Sequence, residues 1–226
     1  MKLEKIAPFG RSLEEYRKIF SLSGDDLEKN IVGVGDGPAS FNAEMSALGK
    51  TVISIDPLYS LQPHEIEERF YSVVDDIIAQ VEATPHDWVW SYHKSPEHLK
   101  DNRTAALRCF IADYEAGKAE GRYILGELPS LDFAHGKFQL AVCSHFLFLY
   151  SEHLTYGFHL SSVLEMLRIA HEVRIFPLLT LMLEVSPYVQ PLILELESRG
   201  VIVSVESVEY ELQRGGNKML RIQHFS

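Results

Sequence analysis

The stretch NIVGVGDGPASFNAEMSALGKTVISID, residues 30–56, decides the fold. It opens with a short apolar run typical of a strand, 30–34, which ends in a glycine-rich turn. Residues 39–48 have a helical pattern, and Gly49 is placed to end that helix. A second apolar run, 51–55, ends at Asp56. We therefore predict a strand–helix–strand unit whose two strands are parallel.

The second half of the chain continues this alternation. Helical patterns cover 160–170 and 188–198. Further strands are predicted at 122–125, 138–144, 172–178, 201–208 and 218–223. The last two strands flank a glycine-containing turn, which favours an antiparallel pair. The sequence therefore predicts an α/β fold. Its sheet is doubly wound, mostly parallel and seven-stranded, Rossmann-like, with an antiparallel C-terminal strand.

Residues 58–121 interrupt the alternation. Two amphipathic helical segments, 65–82 and 101–119, flank an aromatic stretch at 85–96 that we expect to be irregular. A parallel crossover needs only one helix. We therefore predict a helical cap insertion at 58–121 within a single domain, 1–226.

Composition limits the possible partners. Lys plus Arg number 21 and Asp plus Glu 32, so the net charge is −11, which disfavours nucleic acid and anionic membranes. No apolar run approaches the roughly 20 residues of a membrane span. Cys109 and Cys143 lie in apolar contexts and are expected to be buried free thiols. Residues 1–6 lack the apolar core of a signal peptide. We expect a cytoplasmic protein with a small-molecule substrate, and the oligomeric state stays open.

The glycine-rich turn is the first candidate binding site. Glycines between a strand and a helix let the backbone approach a ligand closely. Gly33 and Gly35 fit a dinucleotide fingerprint, but Pro38 occupies the position of its third glycine. Asp56 follows Gly35 by 21 residues and ends the next strand, where a carboxylate can accept hydrogen bonds from both ribose hydroxyls. These features favour a nucleoside-containing ligand.

Four segments together resemble the class I S-adenosylmethionine (SAM)-dependent methyltransferases. Residues 33–37, GVGDG, resemble motif I of that family, and 53–56, ISID, resemble motif II. Residues 126–133, GELPSLDF, are similar to the family's segment near the adenine, and 138–144, FQLAVCS, to motif IV. Gln139 departs from that motif, where the usual residue is Asp. Shorter phrases at 9–12, 56–59, 144–150 and 172–177 resemble a narrower group of uncharacterised bacterial methyltransferase-like proteins.

This resemblance implies SAM as cofactor and S-adenosylhomocysteine (SAH) as product. The cofactor-binding positions that it implies are Gly33, Gly35, Asp36, Gly37, Asp56, Pro57, Glu127, Leu128 and Ser144. Glu127 has a second interpretation as a solvated surface acid. A Ser12–Glu15 capping box predicts an N-terminal helix over 13–20. From that region we expect Arg11 to pair with the cofactor's carboxylate and Tyr16 to cover the cofactor, unless the helix only packs on the sheet.

His145 follows the fourth predicted strand and is our candidate general base, with a core histidine as the alternative. The spacing of the later histidines does not match a metal pair, so no metal is expected. We expect methyl transfer from SAM to an unidentified small molecule. Two alternatives stay open. One is an NAD-type nucleotide-dependent oxidoreductase, and the other is a SAM-binding protein without turnover.

Overall fold

In a computed structural model of the protein, which describes residues 7–224, seven strands form one mixed sheet. The strands are β1 Ile31–Val34, β2 Val52–Ile55, β3 Tyr123–Ile124, β4 Phe138–Ser144, β5 Ala170–Phe176, β6 Val201–Ser207 and β7 Lys218–His224. Their order is β3-β2-β1-β4-β5-β7-β6. Strands β1 to β5 are parallel, and β7 is antiparallel to both β5 and β6. The predicted sheet is confirmed.

Helices cover both faces of this sheet. They are α1 Leu13–Ile19, α2 Phe41–Ala47, α3 Pro63–Ala83, α4 Pro96–Ala119, α5 Tyr156–Ile169 and α6 Val189–Ser198. Successive strand residues point to opposite faces, so Ile31 joins the apolar core beneath α1 to α4, while Val32 joins the core beneath α5 and α6. Both faces of the central strands are therefore buried, which explains their almost wholly apolar sequences.

The segment between β2 and β3 forms the longest helices. Pro63 and Pro96 stand in the first turns of α3 and α4, where proline is tolerated, so both helices begin earlier than the sequence pattern indicated. Ile66, Phe70 and Val74 line one side of α3 and are fully buried in the core shared with α2. The segment is thus a packed layer on one face of the sheet, and its function as a cap stays a prediction.

Two smaller expectations have definite outcomes. The capping box of α1 forms as predicted: the Glu15 amide donates to Ser12 Oγ at 3.3 Å, and the Ser12 amide donates to Glu15 Oε2 at 3.2 Å. Cys143 is buried in β4, but Cys109 is exposed, because it lies on the solvent side of α4. The expectation of a buried thiol at Cys109 was wrong.

Among residues 7–224, no helix has the length and apolar character needed to cross a membrane. The first six residues, on which the signal-peptide expectation rests, lie outside the described part of the chain.

Candidate functional site

A cavity of about 430 Å³, here called the large cavity, lies over the carboxyl ends of β1, β2 and β4. This volume is within the range of small-molecule sites, and the edge is where open α/β sheets bind ligands. The large cavity is lined by all of the proposed site residues except Gly33, namely Arg11, Tyr16, Gly35, Asp36, Gly37, Asp56, Pro57, Glu127, Leu128, Ser144 and His145. Residues that are far apart in sequence therefore meet around one space.

The glycine-rich turn presents bare backbone to the large cavity. Gly35 and Gly37 have φ angles of +69° and +53°, a region that side-chain-bearing residues rarely adopt. The Gly35 amide donates to the Ile55 carbonyl at 2.9 Å, which fixes the turn against the end of β2. A Cβ atom on Gly35 would also lie 3.1 Å from the ring of Phe146. Glycine at these two positions allows the tight turn and leaves no side chain that would fill the cavity.

Gly33 lies behind the glycine-rich turn and shapes it from there. It lies outside the cavity wall, and a Cβ atom there would sit 1.9 Å from Asp36 Oδ2. Gly33 therefore makes room for the Asp36 carboxylate behind the turn. A direct cofactor contact by Gly33 stays a prediction.

The Asp36 carboxylate is buried and bonded within the protein. Its Oδ1 accepts from the Tyr16 hydroxyl at 2.7 Å, and its Oδ2 accepts from Ser54 Oγ at 2.6 Å. Burial raises the pKa of Asp36 to about 6, against the opposing effect of these two hydrogen bonds. Asp36 thus links the turn to α1 and to β2, and Tyr16 reaches the cavity wall already held in place.

The Asp56 carboxylate can accept more hydrogen bonds than the protein itself donates to it. Its Oδ2 accepts from the Gly37 amide at 2.8 Å, and its Oδ1 accepts from the Leu58 amide at 2.8 Å. A carboxylate offers about four acceptor sites, so two are left for donors from the cavity, which the half-buried side chain borders. Burial raises the pKa of Asp56 to about 6. The two backbone bonds fix the orientation of the group.

The turn after β3 forms the far wall of the large cavity. Leu128 is buried, with 6% of its surface exposed, and it provides an apolar surface. The Glu127 side chain is exposed at the cavity rim, and the Glu127 carbonyl accepts from the Ser130 amide at 3.3 Å. This wall therefore combines an apolar surface with an exposed acid.

The segment before α1 lies on the glycine-rich turn. The Ser40 amide donates to the Arg11 carbonyl at 3.1 Å, and a Cβ atom on Gly10 would lie 1.9 Å from the Pro38 carbonyl oxygen. Arg11 Nη1 donates to the Phe9 carbonyl at 2.8 Å, whereas its buried Nε has no hydrogen-bond partner within residues 7–224. Burial and the neighbouring Arg103 lower the pKa of Arg11 to about 10. The side chain therefore stays charged at neutral pH.

A second, smaller cavity of about 90 Å³ adjoins the first over the end of β5. This small cavity is lined mainly by apolar side chains from α3, the α3–α4 connection, α4, the chain after β5 and the β6–β7 connection, among them Ile77, Val81, Trp88, Leu99, Leu181 and Leu212. Ala7, Phe9, Arg11 and His145 line both cavities and so form the boundary between them.

His145 stands at this boundary with unusual geometry. Its φ angle is +52°, and its amide donates to the Phe176 carbonyl at 2.6 Å, which holds the residue in the turn after β4. The ring Nδ1 lies 2.9 Å from Ser144 Oγ. Burial, Arg11 and Arg103 lower the pKa of His145 well below its ordinary value. The ring is therefore neutral at pH 7, but it is a weak base.

A buried ionic cluster supports the wall of the small cavity. Arg103 on α4 donates to both carboxylate oxygens of Glu15 on α1 at 2.8 Å, and each side chain is only 1% exposed. His93 Nε2 lies 3.3 Å from Glu15 Oε1, and the Tyr210 hydroxyl donates to the same oxygen at 3.2 Å. Burial alone would raise the pKa of Glu15, but Arg103 holds it well below its ordinary value. Glu15 therefore compensates the charge of Arg103.

Sequence reasoning missed several cavity residues. Phe9 belongs to a phrase, 9–12, that was noted only as a family likeness, and Arg69 lies in the segment 65–82, which was predicted only as an amphipathic helix. The large cavity is also lined by Ala7, Pro8, Val34, Leu58, Gly126, Phe146, Leu154 and Phe158. Phe146 directly follows His145. Its position after the end of β4 was therefore the indication in the sequence that it could line the cavity.

Comparison with known proteins gives one full-length relative. The uncharacterized protein MJ0045 of Methanocaldococcus jannaschii is 33% identical over 224 residues, which cover 99% of this chain and 98% of that protein. No protein-family model matches the chain.

Solved structures share the fold at low identity. WbdD, solved with a kinase inhibitor, has a TM-score of 0.50 at 10% identity over 93% of this chain and 40% of WbdD. The magnesium protoporphyrin IX methyltransferase of Synechocystis PCC 6803, solved with bound SAM, has a TM-score of 0.49 at 11% identity, covering 94% and 78% of the two chains. The chain belongs to the family of the M. jannaschii protein and has the Rossmann-like fold of class I methyltransferases.

Proposed function

We propose that this protein binds SAM in the large cavity and transfers its methyl group to a small molecule. The observation that carries the proposal is the meeting, around one cavity of about 430 Å³, of four segments that resemble methyltransferase motifs. These segments contribute the bare turn at Gly35 and Gly37, the Asp56 carboxylate, the Glu127–Leu128 wall and the end of β4.

The cavity residues suit the chemical parts of SAM. Asp56 has two free acceptor sites, which match the two hydroxyls of a ribose, and Leu128 offers an apolar surface for an adenine ring. The backbone at Gly35 leaves space for the chain that joins the ribose to the amino-acid part. Arg11 lies between the two cavities, so it would meet a carboxylate approaching from either side.

The protein's task in such a reaction is mainly positional. When bound, SAM supplies a methyl group already activated by its sulfonium sulfur. The residues at the boundary, Phe9, Arg11 and His145, would align an acceptor with that methyl group and limit the access of water. The segment 58–121 would act as a cap that selects the acceptor, because α3 and α4 supply walls of the small cavity.

Replacing Asp56 by alanine tests the proposed binding mode. Loss of hydrogen bonds to a charged group costs about 1.5–3 kcal/mol, so calorimetric SAH affinity of Asp56→Ala should fall by roughly 10- to 150-fold. Asp76→Ala, which removes an exposed carboxylate from α3, is the matched control and should bind SAH as the wild type does. Unchanged affinity in a folded Asp56→Ala protein would contradict the proposal.

A further inference from the structure

The small cavity has the size and surface of a site for a compact apolar group. Its volume, about 90 Å³, is below the ~150 Å³ of a protein cavity that holds benzene. Ile77, Val81, Leu99 and Leu212 supply aliphatic walls, and Trp88 adds an aromatic one. Because the small cavity adjoins the large one, a ligand could place a short branched aliphatic chain inside it and extend a polar head to the boundary.

The boundary carries a positive charge that the protein does not compensate. Arg103 is paired with Glu15, and His145 is neutral at pH 7. Arg11 donates only to the carbonyl of Phe9, and within residues 7–224 it forms no ion pair and its Nε has no partner. Arg11 is partly buried and its Nε is fully so, and a desolvated cation without a counter-ion is costly. An anionic ligand group at this position would offset that cost through charge-assisted hydrogen bonds.

We propose that the methyl acceptor is a small organic acid. Its apolar body occupies the small cavity, its carboxylate is held by Arg11, and a carboxylate oxygen receives the methyl group. This inference rests on the proposed function, because it assigns an acceptor to the same reaction.

The reaction balances without an acid or a base. A lone pair on the carboxylate oxygen forms a bond to the methyl carbon, and the bond from that carbon to sulfur breaks with its electron pair left on sulfur. The products are a methyl ester and SAH, and no proton is released. His145 borders this position, and burial with Arg11 and Arg103 lowers its pKa, so it is a weaker base than a free imidazole. A carboxylate acceptor needs no base.

Ligand binding tests this assignment separately from activity. The probes are 2-methylpropanoate and 3-methylbutanoate, each compared with its uncharged amide, titrated by NMR into protein saturated with SAH. We expect each acid to bind about tenfold or more tightly than its amide, and Arg11→Gln to abolish the difference. Arg11→Lys should keep part of it, since the charge remains. Arg17→Gln, which removes an exposed cation from α1, is the matched control and should keep all of it.

The same variants separate the acceptor from the cofactor. SAH carries a carboxylate, whereas 5′-methylthioadenosine lacks the amino-acid tail. If Arg11→Gln weakens SAH binding but leaves 5′-methylthioadenosine binding unchanged, Arg11 serves the cofactor, and the acceptor assignment is overturned while the proposed function stands. Wild-type protein that binds acids no better than amides also overturns the assignment. Failure of the wild type to bind either nucleoside would instead refute the proposed function.

Discussion

At the scale of single residues, the glycines of the turn after β1 have separate tasks. Gly35 and Gly37 adopt positive φ angles and face the large cavity, whereas Gly33 faces away from it and clears space for Asp36. A glycine motif read from sequence does not distinguish these tasks. The distinction depends on a carboxylate that folds back behind the turn toward Tyr16, and sequence spacing carries no information about that direction.

Replacing Gly33 by alanine should destabilise the protein by forcing Asp36 out of place. The added Cβ would lie 1.9 Å from Asp36 Oδ2, and such overpacking costs about 1–3 kcal/mol. Gly24→Ala is the matched control, because a Cβ on Gly24 meets nothing within 4 Å. Thermal unfolding by calorimetry should show a lower midpoint for Gly33→Ala alone. Equal midpoints for the two variants would mean that Asp36 is not confined as described.

At the scale of elements, α1 belongs to the wall of the site as well as to the fold. Its capping residue Glu15 also receives both hydrogen bonds from Arg103 on α4, 88 positions away. The capping box was predictable, since it depends on residues three apart. The ion pair was not, because no local pattern identifies a partner at that separation.

Removing the negative charge of Glu15 should be strongly destabilising. Glu15→Gln would leave Arg103 charged and 1% exposed without a counter-ion, and breaking a buried pair from one side costs about 3–5 kcal/mol. The exposed pair of Glu195 and Arg199 on α6 supplies the control, and Glu195→Gln should change stability by less than about 0.5 kcal/mol. Urea denaturation measures both. Similar midpoints for the two variants would show that the buried pair contributes no more than an exposed one.

The elements themselves were largely predictable. The apolar runs that became β1 and β4 are buried on both faces, so their burial pattern is visible in the sequence. Strand β5 is equally buried but carries the buried Glu172 and Arg174, and its burial does not show as an apolar run. The segment 58–121 was harder to interpret. Its helices were found, yet their packing into the core with α2 depends on Phe70 and Phe110 meeting residues from distant parts of the chain. Amphipathic periodicity indicates that a helix face is buried but not against what.

At the scale of the whole molecule, the fold brings two cavities to one edge of the sheet. The positions that resemble family motifs surround the large cavity, so sequence reasoning located it well. The small cavity is lined in part by the family-like phrases, through Phe9, Tyr150 and Phe176. Its other walls come from α3, α4 and the β6–β7 connection, which carry no such phrase, so its extent became visible only in three dimensions. The proposed cofactor site and the proposed acceptor site thus lie side by side, with Arg11 and His145 between them.

A crystal structure of the protein with SAH tests this account most directly. We predict that SAH occupies the large cavity, with both ribose hydroxyls bonded to Asp56, the adenine against Leu128 and the sulfur facing the boundary at His145. The small cavity should stay accessible beside that sulfur. Density for SAH elsewhere on the molecule, or an empty large cavity in crystals grown at saturating SAH, would contradict the central claim that this cavity holds the methyl donor.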